Sequence, residues 1–200
     1  MSFVLLLLAM TVHELSHGIV AYWLGDDTAK RAGRLTLNPI PHIDLYWTLL
    51  FPGILYFATG GRFMIGMAKP VPVDISRLRN PKRDMILVSL AGPSANIMMA
   101  AILAFFFNMT HNEWVLSGIY MNLGLGVFNL VPLPPLDGSR ILAGLLPAPW
   151  TVRFLRVERF GFLLILFLYF TGLLMPWVRM GMDFSCLLLR VPTLTQWLTH

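Results

Sequence analysis

The residues best equipped for chemistry are His13, Glu14 and His17, in the run His13-Glu14-Leu15-Ser16-His17. On a helix, positions i and i+4 project from one face about one turn apart, so the two imidazoles can serve as two ligands of a tetrahedral zinc. Glu14, adjacent but turned to the side, is placed to hold a water at that metal and take its proton. Together these groups can hydrolyse a peptide bond. A chain of this composition, with 5 His, produces the pattern by chance on the order of one time in a thousand. On a soluble helix the cluster could be a solvated polar face. Within an apolar helix, ionisable groups are costly and mark function.

The surroundings are apolar. The chain is 56% hydrophobic and 12% charged, against about 25% charged residues in soluble domains, and its mean hydropathy is +0.69. This describes an integral membrane protein, and the 200 residues lack a polar tract long enough to fold separately, so 1–200 reads as one membrane domain. A single cysteine, Cys186, excludes an internal disulfide and a multi-cysteine zinc site; it reads as a small apolar filler. The net charge of +5 invites a nucleic-acid partner, but the cations sit in short segments between apolar runs and report membrane topology instead.

Residues 2–24 are enough for one span, and they lack the basic start and small-residue cleavage site of a signal peptide, so the segment should be retained. Counting back from Leu24 at about 1.5 Å per residue, His17 lies roughly 10 Å and His13 roughly 16 Å inside the end, which puts the metal within the bilayer and nearer that side. Residues 26–44 are polar, and the alternation of 34–39 before Pro39 predicts a short strand. Residues 45–59 are apolar but short and interrupted by Pro52-Gly53. Because cations flank them on both sides, the positive-inside rule predicts a re-entrant segment returning to the cytoplasmic face. Residues 85–108, 118–131 and 160–178 read as further spans, and 179–200 as an unplaced tail. The expected fold is an all-α polytopic membrane protein of about four transmembrane helices, with a re-entrant segment and short β-like loop elements, in the cell membrane.

A catalytic zinc needs a third protein ligand. The candidates are His42, Asp44, His111, His200, Asp183 and Asp137. His42 and Asp44 lie in a loop, His111 and His200 on or beyond the far face, and Asp183 in the tail. Asp137 stands apart, because Pro132, Pro134 and Pro135 destroy helix just before it, and broken backbone at membrane depth occurs where it is packed or lines a wet cavity. The alternative is an Asp that only caps the helix beginning at Gly138-Ser139-Arg140.

These residues resemble those of the site-2 proteases, zinc intramembrane metalloproteases. The resemblance rests on His13 to His17 in the first apolar helix, on residues 129–138 matching N-x-x-P-x-P-P-L-D-G, and on Gly92-Pro93-Ser94-Ala95-Asn96 matching G-x-x-x-N. Residues 34–44 and 68–83 are similar to the compact bacterial subgroup without a PDZ or CBS domain. The resemblance implies one zinc held by His13, His17 and Asp137, with Glu14 as general base and Asn129 near the substrate or the oxyanion. It implies cleavage of single-pass transmembrane proteins. Many relatives carry a second glycine where this chain has Ser139, which bears on local packing only.

Cleaving a helix inside lipid requires an extended scissile segment, and 68–73, with its alternating prolines, is a candidate edge for a substrate to pair with; an ordinary extended loop is the alternative. His42-Ile43-Asp44 reads as an interfacial turn, and Trp47, Trp114, Trp150 and Trp177 as interface anchors. Residues 64–67, rich in methionine, read as lipid-facing or core packing. A metal transporter or channel is the competing function, since intramembrane His and Asp also mark ion pathways. A conduit would repeat polar ligands across the bilayer; here they converge at one depth. A catalytically dead scaffold is opposed by the intact Glu14.

Overall fold

The computed structural model describes residues 2–58, 60 and 68–198. Helix α1 is Ser2–Trp23 and is followed by the short α2, Thr28–Arg31, and a 3-10 turn, Ile40–His42. A wide helical turn, Leu45–Leu50, runs into α3, Phe51–Ala58, and a second 3-10 turn, Ile75–Arg77, precedes the long α4, Pro81–Thr110. Then come α5, Glu113–Leu130; α6, Asp137–Leu145; α7, Ala148–Leu155; α8, Glu158–Phe170; α9, Met175–Leu189; and α10, Leu194–Leu198.

The helix ends follow from the sequence. Pro81 occupies the first position of α4, where its missing N–H costs nothing, and the Asp84 carboxylate reaches back to accept the Asn80 N–H at 2.8 Å. At the other end His111 adopts a left-handed conformation that stops α4, and Asn112 caps α5 by accepting the Trp114 N–H at 2.8 Å. Helix α5 ends at Leu130 because Pro132, Pro134 and Pro135 follow. Helices α1, α4 and α5 pack together, with α4 between antiparallel neighbours, and α6 folds back along the start of α4. The main core joins α4, α5 and α9 through Ala104, Leu116, Ile119, Leu123, Met182 and Cys186, whose thiol is the buried filler expected.

By length and hydropathy two helices among the described residues can cross a bilayer alone, Phe3–Trp23 and Pro81–Thr110. The predicted span 160–178 is broken: α8 and α9 meet at 81°, and only as a bent pair do they make a third crossing. Large apolar side chains including Ile102, Phe105, Leu163, Phe167, Phe184 and Leu188 are exposed, as suits a surface facing lipid. Trp114, Trp150 and Trp177 are also exposed. The side chain of Trp47, residues 64–67 and His200 lie outside the described residues.

The β-like expectation is corrected. Among the described residues there is no strand. Residues 34–39 form bends in which Thr36 Oγ1 accepts the Asn38 N–H and Asn38 Oδ1 accepts the Ile40 N–H, both at 3.1 Å. Short polar side chains satisfy the backbone that a ladder would otherwise have taken. Residues 68–74 lie outside any helix, and most of their main-chain hydrogen bonds go to side chains of other segments.

Candidate metal centre

His13 and His17 sit one turn apart on α1, both buried, with 5% and 8% of their surface exposed. The polyproline break after α5 carries Asp137 to them at the first position of α6. Asp137 Oδ2 lies 3.0 Å from His13 Nε2 and 3.2 Å from His17 Nε2, and the two Nε2 atoms are 3.1 Å apart. A tetrahedral zinc with bonds of about 2.0 Å has ligand edges of about 3.3 Å, so this triangle matches one face of such a site. The N-cap of α6 is Leu136, which makes no side-chain cap bond, and the Asp137 carboxylate turns to the imidazoles, not to its own helix.

The far ring atoms set the chemistry. His17 Nδ1 is 2.6 Å from the Val88 carbonyl, which can only accept, so Nδ1 carries the proton and Nε2 presents its lone pair. His13 Nδ1 is 2.6 Å from Asn96 Oδ1. The Asn96 amide is fixed in that orientation because its NH2 group donates to the Ala9 carbonyl and to Asn122 Oδ1, both at 3.0 Å, while Asn122 in turn donates to the Gly118 carbonyl. His13 therefore also presents an Nε2 lone pair. Two lone pairs and a carboxylate oxygen converge within 3.2 Å, an arrangement that repels itself unless a cation sits among them.

Close packing on α4 and α6 needs glycine. A Cβ at Gly92 would lie 2.7 Å from both His13 Cε1 and His13 Nε2 and closer still to His17 Nε2, so this glycine lets α4 pass beside the imidazole pair. At Gly138 a Cβ would overlap the carbonyls of Leu130 and Val131. Ser139, in place of the second glycine, is buried, and its hydroxyl donates to the Leu136 carbonyl at 2.7 Å.

Glu14 Oε2 accepts the Val71 N–H at 2.7 Å. Asn129, in the last turn of α5, uses one amide hydrogen on the Leu125 carbonyl at 2.9 Å. Among the described residues no hydrogen bond joins it to His13, His17 or Asp137. The other candidate ligands are elsewhere. His42 is buried with Nε2 3.1 Å from the Thr36 carbonyl, Asp44 starts the helical turn Leu45–Leu50 by accepting the Tyr46 N–H, His111 ends α4, and Asp183 accepts the Leu194 N–H. Sequence reading missed Val88, Asn122 and Arg34. Val88 acts through its carbonyl, which no motif records, and a lone Asn or Arg without a partner in sequence gives no signal.

A helical membrane protein holding a His-His-Asp face with a glutamate beside it is, by class, a zinc-hydrolase scaffold. The chain is 38% identical to YwhC of Bacillus subtilis, which is named as a zinc metalloprotease, over 89% of this chain and 85% of the relative. Rip2 of Mycolicibacterium smegmatis, named likewise, is 33% identical over 86% of this chain and 67% of that protein. A zinc metalloprotease of Methanocaldococcus jannaschii, MJ0392, is 28% identical, but the match covers 34% of its length. No protein-family model and no solved structure matches. The chain belongs to the zinc metalloprotease family of YwhC and Rip2, of site-2 protease type. It is a membrane protein, and its cofactor is zinc.

Proposed function

We propose that the protein is an intramembrane zinc endopeptidase that cleaves transmembrane segments of single-pass membrane proteins, with its site nearer the cytoplasmic face of the cell membrane. The observation that carries this is the His13–His17–Asp137 triangle set on a helix that can span a bilayer, with Glu14 one residue from the first ligand. His17 lies about 9 Å inside the end of α1 at Trp23, at about 1.5 Å per residue, so water has a short path to it.

His13, His17 and Asp137 hold the zinc, which when bound supplies a Lewis acid that polarises the scissile carbonyl and acidifies water. Glu14 takes the proton of the attacking water and returns it to the departing amine. Asn129, with its second amide hydrogen free of the Leu125 bond, donates to the developing oxyanion or to the substrate backbone. Asn96 and Val88 keep both imidazoles in the ligating tautomer.

The segment 68–73 is the edge along which an unwound substrate lies, since among the described residues the Val71 carbonyl and the Val73 N–H have no hydrogen bond. The Lys69 N–H donates to the His42 carbonyl at 2.9 Å. That contact joins residues 42 and 69, which supports a re-entrant path for the apolar stretch 45–59.

A fluorogenic single-span Leu/Ala peptide, with a helix-breaking Asn-Gly pair near one end, tests the reading in lipid vesicles. The protein should cleave it, a zinc chelator should stop cleavage and added zinc restore it. Glu14→Gln should lower kcat by about 10²–10⁴-fold with zinc still bound. Undiminished cleavage by that variant rejects the role of Glu14, and zinc transport into vesicles without cleavage favours the transporter.

A further inference from the structure

Arg34 is buried, with 7% of its surface exposed, and has no carboxylate within ion-pair distance among the described residues. Its Nη2 donates to the Lys69 carbonyl at 2.5 Å and to the Pro70 carbonyl at 3.3 Å, while its Nε is buried without a partner. A cation kept from water with no counter-ion is expensive, so the backbone it grips must return something.

The gripped backbone leads to Glu14. The Pro70 carbonyl and the Val71 N–H belong to one peptide plane, which is trans, so its oxygen and hydrogen point in opposite directions. Arg34 holds the oxygen and Glu14 Oε2 holds the hydrogen, at 2.7 Å. A cation on the carbonyl polarises the peptide and strengthens the N–H as a donor. Pro70 and Pro72 flank Val71 and have no N–H, so Val71 is the sole main-chain donor across 70–72. The Val71 side chain fixes the register. It fits against Gly18, where a Cβ would lie 3.1 Å from Val71 Cγ1, and Gly18 is one turn beyond Glu14 on the same face of α1.

We propose that Arg34 is a positioning residue for Glu14, acting through the Pro70–Val71 peptide to fix one carboxylate oxygen and leave the other for the attacking water. This rests on the protease reading above. A misplacement of about 1 Å at a reacting group costs on the order of 10²-fold in rate, so the contact has room to matter.

The test is kcat and KM on the same Leu/Ala peptide in vesicles, with zinc content and thermal midpoint measured alongside. Val71→Pro removes the N–H in a segment that lies outside any helix and already has proline on both sides, and Val71→Ala keeps it. Val71→Pro and Arg34→Gln should each lower kcat by about 10–100-fold with KM and zinc content unchanged, Val71→Ala, which keeps the N–H and trims only the packing on Gly18, should lose clearly less than Val71→Pro, and Arg34→Lys, which retains a single charged donor group, should fall between the parent and Arg34→Gln. Because Arg34 acts through the Val71 N–H, the double variant should be no slower than Val71→Pro alone. Multiplicative losses in the double variant, equal losses from Val71→Ala and Val71→Pro, or a change confined to KM would overturn the inference. Those results leave the protease reading standing; absence of cleavage by the unaltered protein removes that reading instead, and undiminished cleavage by Glu14→Gln removes the role of Glu14 on which the inference rests.

Discussion

Two of the candidate metal ligands flank the candidate base in sequence, yet ligands and base are held in different ways. His13, His17 and Asp137 are fixed by helices: their partners are the Val88 carbonyl in α4, the Asn96 amide locked by Ala9 and Asn122, and the start of α6. Glu14 is fixed by a segment with no secondary structure of its own, clipped at Lys69 by His42 and Arg34, at Val71 by Glu14 itself, and at Asp74 by the buried Asp26, which accepts the Asp74 N–H at 2.7 Å. Helical ladders are satisfied internally and resist local change, whereas a clipped segment can shift when one clip is lost. The metal half is therefore built for permanence and the base half for adjustment.

Variants that separate zinc retention from turnover put that division at risk. Asp137→Ala should remove zinc and cleavage together, as metal analysis and the peptide assay would show. Gly92→Ala should come next, because its methyl group would occupy space held by both imidazoles; zinc content should drop while Gly124→Ala, with 3.7 Å to its nearest neighbour, leaves it intact. Asn96→Leu should weaken zinc binding by about 10–100-fold, read as a lower chelator concentration for half-loss. Asp26→Ala, on the other half, should slow turnover and leave zinc binding unchanged; if it releases zinc, the two halves are one unit. The smallest effect belongs to Ser139→Gly, where one hydroxyl bond is lost and about 1 kcal/mol of stability with it.

Asp74 shows why the clips survive contact with water. The Ser76 hydroxyl, then the Ser76 backbone N–H, hold its carboxyl below the ordinary carboxylate range, so it stays ionised and caps the turn Ile75–Arg77. The segment's far end is thus tied on the solvated side as well.

Much of the site was legible in the chain because the metal chemistry dictates residue type and spacing. His13 and His17 need only one helical turn between them, and Asp137 is exposed by the prolines that forbid helix before it. Asn96 was visible only through the resemblance to a family. The partners of Glu14 were not visible, since the contact comes from a backbone N–H and no residue type encodes it. The strand expected over 34–39 followed from alternation alone, but Thr36 and Asn38 compete for the backbone with their own oxygens. Residues 160–178 look like a single crossing because hydropathy is blind to direction, whereas the bend between Phe170 and Met175 turns the chain through 81°. The prolines of 68–73 predict an extended edge; the stretch lies outside any helix, and most of its main-chain partners are side chains, which no residue pattern encodes.

The hitch between the Lys69 N–H and the His42 carbonyl closes the base of everything between those two residues. A stretch whose departure and return share one knot is modular: it can lengthen, shorten or be exchanged for a foreign sequence without rethreading the catalytic helices. A change of length there would leave the paths of α1, α4 and α6 as they are.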